Sequence, residues 1–97
     1  MRVFNNSTLS GYCREYPSAD QALRLWQKVA KKAKWQNSAE LKKDYPSASI
    51  VNRTRVVFNI RHNEYRLVIA IRYDKQRIYV RFFGRHMEYD TIDAATI

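Results

Sequence analysis

The stretch RTRVVFNIRHNEYRLVIAIRYDKQRIYVRFF, residues 53–83, predicts most of a β-sheet. It contains three apolar-rich runs, RTRVVFNI, EYRLVIAIRY and RIYVRFF, which RHN and DKQ separate. Runs of this composition with alternating polar and apolar side chains are typical of strands, and connections this short are typical of hairpins. The sequence therefore predicts an antiparallel meander of three strands.

Residues 19–34 predict the longest helix. Ser18 and Gln21 have the spacing of a capping box, and Asp20 places a negative charge in the first turn. Apolar side chains recur at helical spacing and form one stripe. The stripe consists of Ala22, Leu23, Trp26, Val29, Ala30 and Ala33. We expect this stripe to pack against the sheet.

Shorter elements flank that helix. RVF at residues 2–4 predicts a short edge strand, and Ser7 or Thr8 can cap a brief helix that ends before the first proline. Ser38 can cap a second short helix, SAELKKD, which the next proline terminates. Together these elements predict an α+β fold, with N-terminal helices packed on one face of a small antiparallel sheet, in a single domain over residues 1–97.

Alternation assigns the strand side chains to two faces of the predicted sheet. The first face is apolar, and we expect the helices to cover it because burial removes a continuous apolar surface from water. This face carries Val56, Phe58, Ile60, Tyr65, Leu67, Ile69, Ile71, Tyr73, Ile78, Val80 and Phe82. The second face carries Arg55, Val57, Asn59, Arg66, Val68, Ala70, Arg72, Arg77, Tyr79, Arg81 and Phe83.

The second face combines arginines with aromatic rings. Like charges on one small face repel, so stability alone does not explain them. A phosphate backbone would neutralise the charges, and bases could stack on the rings. The alternative is an ordinary solvated face, which antiparallel sheets commonly have.

The charge balance also favours a polyanionic partner. Eighteen Lys and Arg residues oppose nine Asp and Glu residues, giving a formal net charge of +9. Nucleic acid fits this excess better than a membrane, because no cationic amphipathic helix with a broad aromatic face is present. A basic surface that only aids solubility is the alternative.

Several kinds of chemistry are disfavoured. Cys13 has no partner cysteine for a disulfide, and a lone cysteine is usually a small buried side chain. His62 and His86 lack metal-ligand spacing, and two glycines cannot form a phosphate-binding loop, so we expect no metal or cofactor. No apolar run resembles a signal peptide or a membrane span. We expect a soluble cytoplasmic protein.

The residues after the third strand predict a reactive rim. Gly84 can end that strand with a sharp turn and bring Arg85, His86 and Tyr89 beside the basic face. RNA cleavage without metal needs groups that accept and donate protons and groups that stabilise extra negative charge. Histidine titrates near neutrality and arginine stays charged, so both residue types suit these tasks. Asp90 can orient His86 or pair with an arginine.

The segments RVVFNI, YRLVIAI and G-x-H-x-E-Y-D-x-I-D-A resemble the HigB family of toxins from bacterial type II toxin-antitoxin systems. The similarity extends to RVF and STL near the start, the LRLWQKVAKKAKW helix and the YPSASIV connector. Members have a RelE-like fold and are ribosome-dependent mRNA interferases, which a HigA antitoxin, itself a DNA-binding repressor, silences. The resemblance implies that activity here, and the matching positions are Arg66, Arg81, His86, Tyr89 and Asp90.

The chain departs from the family pattern at two positions. The family commonly has T-H-A-E-Y-D, so Arg85 stands where a small hydroxyl residue is usual. Ala95 stands where an acidic residue is common. Arg85 can add phosphate affinity or mark an attenuated toxin, and the sequence leaves both readings open.

Together with the basic face, the resemblance implies a metal-independent endoribonuclease toxin that cleaves translated mRNA in the ribosomal A site. Arg66 and Arg81 would contact the phosphate or the transition state, His86 would act as general acid or base, and Tyr89 would donate a proton or stack on a base. Further RNA-binding candidates are Arg55, Arg72, Arg77, Tyr79, Arg85, Lys31, Lys32 and Lys34. The candidates for ribosomal RNA contacts are Lys28, Lys31, Lys32, Lys34, Lys42 and Lys43.

The expected partners are mRNA, the ribosome and a HigA-type antitoxin, with DNA reached only through the antitoxin and no membrane contact. An alternative is a noncatalytic RNA- or ribosome-binding regulatory module that uses the same basic face. A third is a structural subunit that docks an acidic protein. An acid-base group within reach of a bound phosphate would distinguish the enzyme from both.

Overall fold

The computed structural model describes residues 1–97 and contains helices, one 3-10 turn and a five-stranded sheet. The strands are β1 (Arg2–Phe4), β2 (Ser49–Asn52), β3 (Arg55–Ile60), β4 (Tyr65–Arg72) and β5 (Arg77–Arg85). The helices are α1 (Asn6–Glu15), α2 (Asp20–Lys32), α3 (Ser38–Asp44) and α4 (His86–Tyr89), and the 3-10 turn is Pro17–Ala19. The predicted α+β class is confirmed.

The sheet has the strand order β1-β5-β4-β3-β2. The predicted meander is present, because β3, β4 and β5 pair antiparallel in sequence order. Two strands extend it. β2 pairs antiparallel with β3, and β1 pairs parallel with β5, with Val3 opposite Ile78. The sequence did not predict β2, because all four of its residues are exposed and it therefore shows no alternation.

The helices cover one sheet face, as the apolar stripe of α2 predicts. Leu23, Trp26 and Ala30 of that stripe are fully buried. The Trp26 ring meets Phe58 of β3 edge-on, with centroids 5.4 Å apart. These side chains belong to a core cluster of 21 buried residues between the helices and the sheet. None of the helices combines the length and apolar character needed to cross a bilayer.

The serine caps predicted for α2 and α3 are wrong. Ser18 lies in the 3-10 turn, where its Oγ is 2.5 Å from the Tyr65 hydroxyl, and α2 begins without a side-chain cap. At α3 the cap is Asn37 instead of Ser38, because the Asn37 side chain accepts a hydrogen bond from the Glu40 N–H at 3.0 Å. A tertiary contact therefore occupies the Ser18 hydroxyl, and Asn37, an equally good capping residue, takes the cap position of α3.

The first helix also begins differently from the prediction. Asn5 precedes α1 in the left-handed region, with φ of 68°, a conformation that asparagine tolerates better than most residues. Ser7 and Thr8, the predicted caps, lie inside the first turn. The edge strand and the brief helix are nevertheless where the sequence predicts them.

β5 contains one residue more than its partner strand. Val68 pairs with Phe82 and Ile69 pairs with Val80, so Arg81 has no opposite residue and forms a β-bulge. Beyond the bulge the two faces exchange. Phe83 belongs to the helix-covered core, whereas Phe82 packs on the opposite face. The predicted faces of Phe82 and Phe83 are therefore wrong, because simple alternation does not include the extra residue.

Gly84 lies inside β5, not at its end as predicted, and its φ is not positive. A Cβ at Gly84 would lie 2.8 Å from Phe82 Cζ and 3.3 Å from both Cβ and Cδ of Glu88. A glycine is therefore needed at this position, because Phe82 and Glu88 lie too close to the strand backbone for a side chain. It lets the Phe82 ring and helix α4 pack against the strand.

We expect Gly84→Ala to destabilise the fold. The new methyl group must displace Phe82 or α4, and overpacking of this kind costs about 1–3 kcal/mol. Gly11→Ala is the matched control, because Gly11 lies in α1 with no atom within 4 Å of an added Cβ. That change should instead raise the free energy of unfolding by about 0.5–1 kcal/mol. Urea unfolding measures both, and equal effects would contradict the steric explanation.

Candidate nucleic-acid interface

The sheet face opposite the helices, here called the open face, carries arginines at one end. Strand register places Arg2 opposite Arg77 and Arg77 opposite Arg72, and all three are exposed. We call these residues the arginine row. Arg72 Nη2 lies 3.1 Å from Asp74 Oδ2, so the pKa of Arg72 is raised and that of Asp74 is lowered. Arg2 and Arg77 form no ion pair.

Two aromatic residues lie beside the arginine row. Phe4 of β1 is directly opposite Tyr79 of β5, and their rings stack with centroids 4.8 Å apart and planes 11° apart. We call them the aromatic pair. The Arg2 Cζ atom lies 4.9 Å from the centroid of the Phe4 ring. The sequence prediction included Tyr79 but omitted Arg2 and Phe4, although the alternation of RVF around an inward Val3 could have placed both on this face.

The centre of the open face is covered. Val57 and Val68 are buried there together with Ala94, which comes from the C-terminal segment, residues 90–97. Partly buried side chains complete this second cluster: Phe82, Tyr89, Ile92 and Ile97. The predicted basic face is therefore interrupted at its centre.

Polar contacts also hold the C-terminal segment on the sheet. The Arg55 Nε–H donates to the Ile97 carbonyl at 2.9 Å, and the Asn52 side chain donates to the Ala95 carbonyl at 3.4 Å. Arg55, predicted as an RNA contact, is consequently half-buried and occupied with its own chain. The open face retains two accessible ends, one at the arginine row and one beside α4.

The end beside α4 brings together several predicted site residues. The His86 N–H donates to the Glu64 carbonyl at 3.2 Å, which fixes the start of α4 against β4. His86 Nδ1 lies 3.6 Å from Asp90 Oδ2, and 54% of the His86 side chain is exposed. Tyr89 is half-buried against the second cluster. The imidazole is thus accessible, with a carboxylate beside it.

Two predicted arginines lie on the open face, one near α4 and one midway along β5. Arg66 is opposite Gly84 in the sheet register, and its Nη1 donates to the Asn63 carbonyl at 3.1 Å. Arg81 occupies the bulge, is exposed, and makes no ion pair or side-chain hydrogen bond. One guanidinium is therefore anchored and the other is free.

Arg85 does not share this end of the open face. It lies beyond the bulge and opposite Tyr65, a residue of the helix-covered core. Its guanidinium carbon is 5.6 Å from the centroid of the Tyr65 ring. The prediction that Arg85 joins the basic face is wrong, because the bulge turns this residue toward the helix side.

The predicted lysine contacts lie on a different surface. Lys31 and Lys32 form the last turn of α2, Lys34 follows it, and all three are exposed. Since α2 packs on the covered sheet face, these lysines belong to the outside of the helix layer. The predicted RNA contacts therefore do not form one continuous surface.

A family model described as HigB toxin, the RelE-like toxic component of a toxin-antitoxin system, matches residues 19–92. The chain belongs to the HigB toxin family. No curated protein matches its sequence. Membership confirms the resemblance and implies an antitoxin as partner protein. Arg66, Arg81, His86 and Tyr89 lie within the matched range, whereas Arg2 and Phe4 precede it.

The HigB-family chain offers no obvious metal site or reactive thiol. No group of three or more His, Cys, Asp or Glu side chains is arranged to hold a metal ion. Cys13 is buried, and burial raises the pKa of its thiol. A protonated buried thiol is a poor nucleophile.

Helix α4 of the toxin is tied through Glu88 to Tyr16, the residue that follows α1. The Glu88 Oε1 atom accepts a hydrogen bond from the Arg85 N–H at 2.9 Å. The Tyr16 hydroxyl lies 3.0 and 2.9 Å from the two Glu88 carboxylate oxygens. Burial and the Glu88 carboxylate raise the pKa of Tyr16 to about 12. The phenol therefore stays protonated and can donate.

We expect Tyr16→Phe to lower the free energy of unfolding by about 1 kcal/mol, because Glu88 loses its hydroxyl donor. The raised pKa of Tyr16 favours the protonated phenol in the folded state. Its contribution is complete below about pH 10 and is lost as the pH rises toward about 12. The difference between the wild type and Tyr16→Phe should therefore shrink over that range in chemical unfolding measurements.

Tyr45→Phe is the control for this comparison, because the Tyr45 ring packs on Phe58 and its hydroxyl has no hydrogen bond within the chain. It should change stability little at pH 7. A loss equal to that of Tyr16→Phe would show that the hydrogen bond to Glu88 is not the cause.

Proposed function

We propose that this toxin is a ribosome-dependent mRNA interferase, an endoribonuclease that cleaves translated mRNA in the ribosomal A site without a metal or cofactor. One observation carries the proposal: an accessible histidine with a neighbouring carboxylate starts a helix at the end of a basic sheet face. Family membership supports the toxin role.

The proposed reaction uses acid-base groups at that end together with two arginines of the open face. The RNA 2′-oxygen attacks the adjacent phosphorus, its proton passes to a base, and the bond to the 5′-oxygen breaks as that oxygen receives a proton. His86 acts as general acid or base, and Asp90 Oδ2, 3.6 Å from His86 Nδ1, orients the ring once the two groups close to hydrogen-bond distance. Tyr89 donates the second proton or stacks on a base.

Two arginines stabilise the extra negative charge of the transition state. Arg66 is held by the Asn63 carbonyl, so its guanidinium is preorganised and costs little to align. Arg81 has no partner in the chain and is exposed at a bulge, a feature that often adjusts side-chain direction near active sites. A free guanidinium can move onto a phosphate when RNA arrives.

The remaining predicted contacts divide by position. Arg72, Arg77 and Tyr79 at the arginine row bind the mRNA, while Lys31, Lys32 and Lys34 on the helix layer contact ribosomal RNA. The silencing partner is a HigA-type antitoxin, so the toxin reaches DNA only through that protein. This function places the single domain of the toxin in the cytoplasm, where translated mRNA is found.

We expect His86→Ala to reduce mRNA cleavage by about 100-fold or more, the usual effect of removing a general acid or base. Mapping of new mRNA 5′ ends in a translating extract measures this loss. His62→Ala is the matched control, because His62 is an exposed histidine in the turn between β3 and β4. Equal losses in both variants would remove His86 from the mechanism.

We expect Arg81→Ala to reduce cleavage by about 100-fold, since a lost electrostatic contact to the transition state typically has this effect. Arg14→Ala removes an exposed arginine from α1 and serves as the control for net charge. New 5′ ends should require ribosomes in every case. If the wild type binds RNA or ribosomes without producing new ends, the protein is the noncatalytic binding module instead.

A further inference from the structure

We infer that the arginine row and the aromatic pair form a separate docking subsite for single-stranded RNA, remote from the cleavage end. This inference rests on the proposed function in one respect, because the docked strand is taken to be the mRNA that His86 cleaves. The subsite adds Arg2 and Phe4 to the RNA-binding surface, and both residues lie before the range that the family model matches.

Charge is the first observation that supports the subsite. Arg2, Arg77 and Arg72 stand side by side on three adjacent strands, and like charges directly opposite one another destabilise a sheet. Asp74 compensates Arg72 alone. Two exposed guanidinium groups therefore lack a counter-charge within the chain, and a phosphate backbone would supply it.

The second observation concerns the rings. Phe4 and Tyr79 belong to neither of the two buried clusters, so core packing does not account for them. They stack on the open face at the sheet edge, with the Arg2 guanidinium over Phe4. Aromatic rings flanked by a cation form a platform on which unpaired bases of any sequence can stack. This chemistry selects single-stranded RNA over a duplex, whose bases are already stacked.

The third observation is the path between the two ends. Tyr79 and His86 are seven residues apart along β5 and the start of α4, or about 20 Å at the rise of a strand. On the open face of β5, Arg77 and Arg81 are exposed and Tyr79 is half-buried, whereas Phe82 packs in the cluster that the C-terminal segment covers. Arg81 lies on this path and is exposed. A strand docked at the arginine row can therefore follow β5 as far as Arg81 and passes over Phe82 to reach His86.

The test compares RNA affinity among full-length variants that share His86→Ala to prevent cleavage. Fluorescence anisotropy with a labelled single-stranded RNA, titrated over a range of salt concentrations, gives the affinity and its salt dependence. The variants are Phe4→Leu and the double variant Arg2→Ala/Arg77→Ala. The control is Arg14→Ala/Arg24→Ala, which removes the same charge from exposed positions on α1 and α2.

We expect Arg2→Ala/Arg77→Ala to weaken binding about 10-fold or more and to lower the slope of log affinity against log salt by about 1.4, since each lost phosphate contact on a single strand removes about 0.7. Phe4→Leu should weaken binding about 10-fold without changing the slope, because it removes stacking and no charge. A duplex of the same sequence should be insensitive to Phe4→Leu.

Three results would overturn the inference. The first is an equal effect of the control double variant, which would mean that net charge alone matters. The second is an unchanged affinity in Phe4→Leu, which would favour an acidic protein as the partner of the arginine row. The third is the absence of measurable RNA binding by the parent protein.

Cleavage in a translating extract separates this inference from the proposed function. For this comparison the same substitutions are made with His86 intact. If the wild type produces no new 5′ ends but the affinity effects are found, the proposed nuclease fails and the RNA subsite stands. If the wild type cleaves mRNA while the Phe4 and Arg2/Arg77 variants bind RNA normally, the subsite fails and the nuclease stands.

Discussion

The bulge at Arg81 determines which side chains share a face at the end of the sheet. Because this residue has no partner in β4, Phe82 moves to the open face, whereas Phe83 and Arg85 move to the helix side. Phe83 then stacks on Tyr65 in the core, with centroids 5.3 Å apart. A strand of unbroken register would reverse these assignments, so one extra residue fixes both the core packing and the chemistry of the open face.

The same bulge also creates the apolar surface on which the C-terminal segment packs. Phe82, turned to the open face, lies beside Val57 and Val68 and gives Ala94 an apolar surface to cover. Burial of β4 on both faces follows from this contact. The open face is thereby divided into a guanidinium-rich end and an end beside α4.

Local sequence patterns predicted the elements that local interactions determine. The apolar stripe of α2 and the alternation in β3 and β5 identify those elements, since each pattern follows from the geometry of a single helix or strand. β4 was identified but misread as covered on one side only. Its uninterrupted apolar run from Leu67 to Ile71 is typical of a strand buried on both faces, and it was the available signal for a covering segment.

The features that the sequence did not predict depend on contacts between distant parts of the chain. β1 and β5 are separated by more than seventy residues, so no local pattern reveals that Phe4 stacks on Tyr79. Ser18 contacts the Tyr65 hydroxyl rather than capping its helix for a similar reason. The candidate residues near α4 were found because they follow one another in sequence. The arginine row was only partly found, because Arg2 joins it through parallel pairing.

The position of His86 depends on groups that take no part in the arginine row. Glu88 in the same short helix is held by the neutral phenol of Tyr16, and Gly84 leaves the space in which the helix packs. A helix of one turn has little intrinsic stability, so these outside contacts must fix it. The arginine row, by contrast, is fixed by strand register alone. The proposed RNA subsite and the orientation of His86 therefore have separate structural supports, and substitutions can change one without the other.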